Sequence, residues 1–340
     1  MNRTDEPICS VCVANYNGEA LLEECLDSIL AQQGAGNIEI IVHDDASTDG
    51  SIVLLQRKYP QVRLLASSSN VGFCISNNRM AEIARGRYVL LLNNDAALFP
   101  DAIATLVDTA QTLPGSGILT LAQYDHATSA LVDRGCLLDP FYNPVPNTMP
   151  SRADTGMVIG ACMFLPRDLW NWMGGFPDWI ESIGEDLYLC CLARLSGHYV
   201  RVADRSGYRH RQGASFGGNR VTDNKLQTTY RRRRLSERNK LAVMLLCTPS
   251  PLAWLLWLIA ILSLLAEGVM LTALRTSPRV WSEIYGPAIA ATFKSLAGLR
   301  ARRTKVQAIR TISLRAYLRA FVPWPQKLRL AAKHGLPTIR

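Results

Sequence analysis

The sequence predicts an α/β fold with a mostly parallel sheet flanked by helices, followed by a helical region at the carboxyl end. Two observations support this fold class. Short apolar segments alternate with segments of helical periodicity over the first hundred residues, as in βαβ units. The charge is also divided, because residues 1–200 hold 11 Lys/Arg and 23 Asp/Glu whereas residues 201–340 hold 26 and 5. Two regions with different partners are therefore expected.

The first hundred residues contain the βαβ pattern. Predicted strands at 8–14, 38–42 and 62–66 alternate with predicted helices at 19–32, 50–58 and 73–85. A fourth apolar run, Tyr88 to Leu92, ends in Asn93-Asn94-Asp95. Because crossovers between parallel strands are right-handed, we expect the loops after residues 14, 42, 66 and 92 at one edge of the sheet. Ligands of open α/β sheets bind at that edge.

The middle of the chain, residues 115–155, is rich in Gly and Pro and predicts a mobile loop or lid. Further elements are expected as a buried strand at 157–165, a helix at about 185–196 and an edge strand at 200–202. We place a boundary between residues 222 and 223, with an α/β domain at 1–222 that divides into halves at 1–114 and 115–222, and a basic, helical region at 223–340.

Leu252 to Leu274 is an apolar run of 23 residues in which Glu267 is the only charge. The run is long enough to cross a bilayer core, and its apolar content outweighs the cost of one acid. Basic residues flank both ends, which contradicts a single crossing under the positive-inside rule. We therefore expect an in-plane or re-entrant helix that associates with a membrane, and a span or a buried core or dimer helix are the alternatives.

The composition also disfavours several classes of protein. Nine cysteines, mostly inside apolar runs, are typical of buried thiols in a reducing compartment. No Gly-rich phosphate loop with a lysine stands near the amino terminus, which argues against a nucleotidyltransferase. No nucleic-acid partner is expected, because long apolar runs are not typical of such proteins.

Asn93-Asn94-Asp95 supplies oxygen ligands at the predicted edge of the sheet. Hard oxygen ligands suit Mg²⁺ or Mn²⁺, which also bind substrate phosphates. A strand that ends in an Asx turn explains the same tripeptide without a metal. Both interpretations stay open from these residues alone.

Seven motifs in order carry a resemblance to a known family. They are Val13 to Asn17, Asp44 to Asp49, Asn70 to Phe73, Leu92 to Asp95, Gly174-Gly175-Phe176, Glu185-Asp186 and His210. Together they resemble family 2 glycosyltransferases with the Rossmann-like GT-A fold over residues 6–217. Within that family the chain most resembles bacterial rhamnosyltransferases of O-antigen and cell-wall glycan synthesis.

The resemblance implies a role for each matching position. The nucleotide site would comprise Asn15, Tyr16, Asn17, Asp44, Asp45, Asn70, Gly72 and Asn94. Asp45 would bond the base edge, whereas Asp44 would either contribute there or brace the loop. Asp95 and His210 would bind Mg²⁺ or Mn²⁺, although Asn93 stands where the family usually has a first acid, which lowers the charge of the site.

The resemblance makes residues 1–114 the nucleotide-binding half of a catalytic domain and residues 115–222 its acceptor half. Asp186 would be the general base, with Glu185 beside it, and an alternative is that both acids only cap the helix that follows. Gly174, Gly175, Phe176 and Trp172 would shape the acceptor site. A processive synthase is disfavoured because its Gln-x-x-Arg-Trp motif is not present.

The resemblance thus implies an inverting, non-processive transferase that moves one sugar, preferably L-rhamnose from dTDP-rhamnose, to a lipid-linked or cell-surface glycan. A UDP-sugar donor such as UDP-galactofuranose, or a non-catalytic membrane-bound scaffold of glycan assembly, is the alternative. The expected partners are the nucleotide-sugar, the glycan acceptor and an anionic membrane surface, and a homodimer is a further option. The expected location is peripheral or monotopic, at the cytoplasmic face of the bacterial inner membrane.

Overall fold

The computed structural model describes residues 6–213, 220–222, 225–249 and 252–339. The chain divides into two compact units. Unit 1 comprises Met1–Cys136, Pro146–Ala193 and His198–Ser215, and unit 2 comprises Leu137–Val145, Arg194–Gly197 and Phe216–Arg340.

The strands of the described residues fall into one large sheet and two small ones. In chain order they are β1 (Cys9–Asn15), β2 (Ile38–Asp44), β3 (Arg63–Ala66), β4 (Tyr88–Asn93), β5 (Ala96–Leu98), β6 (Gly117–Asp125), β7 (Leu131–Asp133), β8 (Cys136–Leu138), β9 (Pro144–Pro146), β10 (Cys162–Pro166), β11 (Tyr199–His210), β12 (Arg220–Thr222), β13 (Lys225–Thr228) and β14 (Thr338–Ile339).

The α-helices flank the large sheet in unit 1 and make up most of unit 2. In chain order they are α1 (Glu19–Leu30), α2 (Ser51–Lys58), α3 (Phe73–Ile83), α4 (Ala102–Thr112), α5 (Arg167–Met173), α6 (Glu185–Leu195), α7 (Tyr230–Cys247), α8 (Leu252–Leu274), α9 (Pro278–Val280), α10 (Gly286–Lys294), α11 (Leu296–Ala308), α12 (Leu314–Tyr317) and α13 (Gln326–His334). Short 3₁₀ turns lie at Asp178–Ile180 and Leu318–Ala320, and a π-helical turn lies at Trp281–Tyr285.

The large sheet is mixed and nine-stranded, in the order β3-β2-β1-β4-β10-β6-β11-β5 with β7 beside β6. Its first four strands are parallel, and their carboxyl ends are level because Asn15 pairs with Asp44 and Ala14 pairs with Asn93. The prediction that these loops share one edge is therefore confirmed. Strands β1, β2 and β4 are buried along almost all of their length, which explains why they read as continuous apolar runs.

Two expectations for the second half of the sheet were wrong. Residues 117–125 lie in β6 inside the sheet rather than in a mobile loop, and the prolines that suggested irregularity come after this strand. The predicted edge strand at 200–202 is the start of β11, which lies between β6 and β5. Pairing of β11 with β6 breaks between Val202 and Gly207 and then resumes, which extends the strand to His210.

The predicted strand at 157–165 is shorter than expected. It begins at Cys162 as β10, and Met157 makes only an isolated bridge with Cys136. The helix expected at 185–196 is confirmed as α6. All nine cysteines are buried and free.

Unit 2 contains the apolar run as one helix, α8. Among the described residues it is the only helix long and apolar enough to cross a membrane, and 33% of its most apolar window is buried. A protein core can hold such a helix, so length and composition alone do not place it in a bilayer.

Candidate active site

Side chains join the loops that follow β1 and β2. Asn15 donates from Nδ2 to Asp44 Oδ2 over 2.9 Å, and Asp44 Oδ1 accepts from the backbone N of Ser47 over 2.9 Å. Asn17 has a φ of 49° and accepts at Oδ1 from the backbone N of Thr48 over 2.8 Å. Asn tolerates this left-handed conformation better than most residues. The two loops therefore form one rigid rim.

Asp45 attaches a third loop to the same rim. Its carboxylate accepts from the backbone N of Val71 over 2.7 Å and from that of Gly72 over 2.8 Å. Gly72 has a φ of 88°, a conformation that favours glycine. Asp45 therefore orders the Asn70-Val71-Gly72 turn, and its contact with a nucleotide base stays a prediction.

A buried chain of hydrogen bonds connects the rim to β4. Asn94 donates from Nδ2 to Asn15 Oδ1 over 2.8 Å, and Asn15 is bonded to Asp44 as described above. Gly18 lies directly on this pair, because a Cβ there would stand 2.2 Å from both Asn15 Oδ1 and Asn94 Nδ2. Tyr16, between Asn15 and Asn17, is exposed.

Asp95 and His210 come together although 115 residues separate them. Both side chains are buried, and His210 Nε2 lies 3.1 Å from Asp95 Oδ1. The other ring nitrogen, Nδ1, lies 3.2 Å from Gln123 Oε1, which also accepts from Tyr208 Oη over 2.8 Å. Gln123 therefore fixes the orientation of the imidazole.

The sequence analysis missed Gln123. It lies near the end of β6, within the residues 115–155 that the Gly and Pro content assigned to a loop. The apolar run from Ile118 to Ala122 was the signal that could have found it, because such a run is typical of a buried strand.

The pair Asp95 and His210 suits a divalent cation. Two atoms that bind one Mg²⁺ or Mn²⁺ ion at about 2.1 Å and at right angles lie about 3 Å apart, close to the separation of these two side chains. Among the described residues no group of three or more His, Cys, Asp or Glu could hold a metal. An ion here would therefore take its remaining ligands from water and from substrate phosphates, as such ions commonly do.

Asp186 lies in the first turn of α6 and is held beside the end of β4. Its carboxylate accepts from the backbone N of Leu187 over 2.7 Å and from that of Gly160 over 3.2 Å. The next residue, Ala161, accepts at its carbonyl O from Asn93 N over 3.1 Å. The backbone thus brings Asp186 to the edge where Asn93, Asn94 and Asp95 lie, and its neighbour Glu185 is buried.

Phe176 packs on the same side of the sheet edge. Its ring stacks on that of Phe73 at 6.0 Å, and Asn78 binds both its backbone N and O, at 2.9 and 2.8 Å. Gly174 and Gly175 have φ values of 78° and 67°, so they form the left-handed turn that ends α5 and delivers Phe176.

The structure does not bring Trp172 close to His210. Its ring packs edge-on against His198 at 5.4 Å, just before the start of β11, whereas His210 is at the end of that strand. The two ends of β11 lie about 26 Å apart, because they pair with Gly117 and Asp125, which are eight residues apart in β6. Trp172 therefore lies far from the pair Asp95 and His210, and its place in the acceptor site stays a prediction, because helical spacing alone could not reveal which way it points.

Part of the chain matches a family of known proteins. Residues 10–130 match the family model for glycosyl transferase family 2. The chain carries a family 2 glycosyltransferase domain.

Curated relatives of the glycosyltransferase domain include two enzymes whose names state an activity. A chondroitin synthase of Escherichia coli is 29% identical, over 54% of this chain and 26% of that protein. An N-acetylglucosaminyl-diphospho-decaprenol L-rhamnosyltransferase of Mycobacterium tuberculosis is 27% identical, over 54% of this chain and 69% of that protein. The chain spans only 32%, 15% and 26% of the lengths of three curated relatives that it matches.

Solved structures confirm the GT-A fold of the glycosyltransferase domain. GalNAc-T7, solved with UDP, GalNAc and Mn²⁺, has a TM-score of 0.55 at 13% identity, and the match covers 71% of this chain and 49% of that chain. A mannosyltransferase of Pyrobaculum calidifontis, solved with GDP-mannose and Mn²⁺, has a TM-score of 0.50 at 20% identity and covers 93% and 86%. At these identities the likeness concerns the fold alone.

Arg211, the residue after His210, is held by a polar cluster that the sequence motifs did not indicate. Glu24 in α1 binds His126 Nε2 at 2.8 Å and Arg211 Nη2 at 2.7 Å. Burial alone would raise the pKa of Glu24, but these two hydrogen bonds outweigh it and lower the pKa. The carboxylate therefore keeps its charge and fixes Arg211.

Asp133 in β7 lies opposite Gln123 in the sheet, and its side chain is buried. Burial raises the pKa of its carboxyl group to about 6, and the hydrogen bond from Gly135 N lowers it by a smaller amount. A raised pKa favours the folded state when the group is protonated. That stabilisation is present below the unfolded-state pKa of about 3.9 and is lost as the pH rises through about 6.

We expect Asp133→Asn to remove this pH dependence. The variant keeps an acceptor for Gly135 N and should be more stable than the parent by about 2–3 kcal/mol at pH 7.5, with little difference at pH 4. Urea unfolding at both pH values measures the difference. Exposed Asp204→Asn is the control and should follow the parent, and an Asp133→Asn variant with the parent's pH slope would contradict the assignment.

Proposed function

We propose that the chain is an inverting, non-processive glycosyltransferase that moves one sugar from a nucleotide-sugar donor to a glycan acceptor. The observation that carries the proposal is the 3.1 Å pair of Asp95 and His210 at the edge where the loops after β1, β2 and β4 meet. A carboxylate and an imidazole at this separation can bind one divalent cation, and this edge is where ligands of parallel sheets bind.

The rim is the proposed nucleotide site. Asn15, Asn17 and Asp44 hold its loops in one arrangement, so that backbone and amide groups are in place before the nucleotide arrives. A divalent cation, Mg²⁺ or Mn²⁺, bound by Asp95 and His210 would neutralise the charge on the leaving nucleoside diphosphate. Gln123 holds the His210 ring in the orientation that presents Nε2 to the ion.

Asp186 is the proposed general base. Two backbone N–H groups, those of Gly160 and Leu187, hold its carboxylate in place. Asp186 takes the proton of the acceptor hydroxyl while that oxygen bonds to the anomeric carbon from the face opposite the diphosphate. The bond between the anomeric carbon and the diphosphate oxygen breaks, which inverts the configuration through an oxocarbenium-like transition state.

We propose dTDP-L-rhamnose as the donor and a lipid-linked glycan as the acceptor. The support is the motif pattern together with the similarity to a rhamnosyltransferase whose name gives a decaprenol-linked substrate. A UDP-sugar such as UDP-galactofuranose is the alternative donor. The cytoplasmic face of the bacterial inner membrane is the proposed location, because lipid-linked acceptors and a basic, apolar carboxyl region belong at such a surface. A homodimer stays a prediction.

Calorimetric titration with dTDP and UDP, each with Mn²⁺ and with EDTA, tests the site. We expect Mn²⁺ to tighten nucleotide binding to the parent at least about tenfold, and Asp95→Asn to lose that gain because the site would keep no charged ligand. Asp108→Asn, which removes only a surface pair with Arg205, should match the parent. A preference for UDP would replace the donor, and equal Mn²⁺ dependence in Asp95→Asn would overturn the metal assignment.

Sugar transfer distinguishes the enzyme from a non-catalytic scaffold. Incubation with dTDP-rhamnose and a lipid-linked glycan should release dTDP in proportion to product. A parent chain that binds dTDP with Mn²⁺ yet transfers no sugar from dTDP-rhamnose or from a UDP-sugar would favour the scaffold.

A further inference from the structure

Helix α8 in unit 2 has two different faces. Its inward face is buried and consists of Ala253, Trp257, Ala260, Ile261, Leu264, Gly268 and Leu271. Its outward face is exposed yet also apolar, with Leu255, Leu258, Ile259, Leu262, Val269, Met270 and Leu274. These outward side chains run for about 28 Å along the helix. A continuous exposed apolar surface of this length is unusual for a protein surrounded by water.

Contacts within unit 2 fix which face points outward. Glu267 binds Lys327 Nζ at 2.6 Å and Arg233 Nη2 at 2.5 Å, and it also accepts from Tyr285 Oη over 3.0 Å. Gly268 packs so closely on Tyr285 that an added Cβ would stand 2.8 Å from it. The single charge of α8 is therefore neutralised on the inward side, and the outward side carries no charge.

The same contacts argue against a helix that crosses a bilayer. The inward face of α8 packs on α7, and α7 contributes Arg233, Glu237 and Lys240 to a buried charge network. If α8 crossed a bilayer, it would either lose its contacts with this network or bring these charged side chains into the hydrocarbon region. Both are costly, because charged groups in the hydrocarbon region are strongly disfavoured.

The carboxyl region that contains α8 is basic. Residues 252–339 contain 13 Lys/Arg and two Asp/Glu. Both acids are paired, Glu267 with Lys327 and Arg233, and Glu283 with Arg279. Near the start of α8 the Arg300 guanidinium lies 5.3 Å from the centre of the exposed Trp254 ring. Exposed Phe293 packs on Trp257 at 5.8 Å, next to exposed Lys294. Tryptophan beside arginine is typical of a membrane interface.

We infer that the outward face of α8 lies in the plane of an anionic lipid surface, with α7 and the charge network still folded behind it. The apolar side chains from Leu255 to Leu274 enter the boundary between headgroups and acyl chains, and Lys294 and Arg300 contact lipid phosphates. Apolar burial and electrostatic attraction then act together, as in other in-plane helices. The inference extends the proposed membrane location and does not depend on sugar transfer.

Vesicle flotation with the full chain tests the surface. We expect binding to vesicles of 30% phosphatidylglycerol in phosphatidylcholine, weaker binding to pure phosphatidylcholine, and a decrease with added salt. Leu258→Glu with Leu262→Glu, at side chains 51% and 56% exposed, should weaken binding at least about tenfold because two charges would enter the interface. Val53→Glu, at a 50% exposed residue of α2 in unit 1, is the matched control and should bind like the parent.

Depth measurements separate an in-plane helix from a span. Single cysteines at positions 255, 262 and 269 carry a bimane label, which reacts selectively because the nine native cysteines are buried. Quenching by lipids brominated at different acyl positions should place all three labels at the same shallow depth. A middle label much deeper than the outer two would overturn the inference in favour of a span.

Other outcomes also decide the question. Undiminished vesicle binding by the double variant would show that α8 does not contact lipid. Loss of self-association in that variant without any change in vesicle binding would show that a second copy covers the face. Nucleotide binding by the same variants checks that they fold, so failure here is distinguishable from failure of the proposed active site.

Discussion

Asp186→Asn is expected to lower the rate of sugar transfer by about 10²–10⁴-fold, while nucleotide affinity stays within about twofold of the parent. The amide is nearly isosteric, and its single oxygen keeps one of the two hydrogen bonds from Gly160 N and Leu187 N while the other is lost. It cannot accept a proton from the acceptor hydroxyl. Donor binding is preserved because the rim and the pair Asp95 and His210 are untouched. Steady-state transfer and calorimetry with dTDP and Mn²⁺ measure the two quantities.

A matched control separates catalysis from helix capping. Asp168 stands exposed in the first turn of α5, as Asp186 stands in the first turn of α6, but it belongs to no part of the proposed site. Asp168→Asn should therefore leave transfer unchanged and cost about 0.3–1 kcal/mol of stability at most, as expected for an acid near a helix start. Transfer by Asp186→Asn within tenfold of the parent would refute the base assignment and leave only the capping role.

Glu237→Gln is expected to lower the free energy of unfolding by about 3–5 kcal/mol. Glu237 is buried in α7 and lies 3.0 Å from Arg233 Nε, 3.0 Å from Lys240 Nζ and 2.9 Å from Lys327 Nζ. Burial alone would raise the pKa of Glu237, but these three cations lower it well below its usual range. Removing the carboxylate charge leaves several buried cations with less compensation, whereas exposed ion pairs are worth far less.

The pH dependence of this effect has a definite sign. Because the folded-state pKa of Glu237 is depressed, its contribution is present above the unfolded-state pKa of about 4.3 and is lost as the pH falls below that value. Urea unfolding should show the full difference between parent and variant at pH 7 and a smaller one at pH 3. Glu283→Gln removes only the exposed pair with Arg279 and should cost about 0.3–0.5 kcal/mol. A Glu237→Gln variant within about 1 kcal/mol of the parent would contradict the network's role.

Much of the amino-terminal half could be predicted from local pattern. Strands β1, β2 and β4 are recognisable because parallel strands buried on both faces are continuously apolar, and the polar residues after them mark the ligand edge. The order of strands and helices then restricts the crossovers to one hand, so that Asn15, Asp44 and Asn93 must converge. The expected helix α6 and the uninterrupted helix α8 follow from periodicity and length in the same way.

The second half of the sheet was less predictable because its strands are mixed in direction. Strand β6 is followed by prolines that suggested a loop, and β11 is interrupted between Val202 and Gly207, so only its first residues have the pattern of a strand. Neither irregularity is visible as a period in the sequence. The direction of Trp172 was open for a related reason, since α5 is a seven-residue helix and the turn after it decides which side chains face the site.

By itself the sequence determined the βαβ order, the shared edge of the first four parallel strands, the family of the domain and the length of the apolar helix, because each depends on local periodicity or on motif order. Only the tertiary structure decided that Gln123 supports His210, that Asp133 is buried beside Gln123, and that Glu267 turns inward to Arg233 and Lys327. These contacts join residues far apart in the chain, and the free energy that selects them comes from burying polar groups with suitable partners.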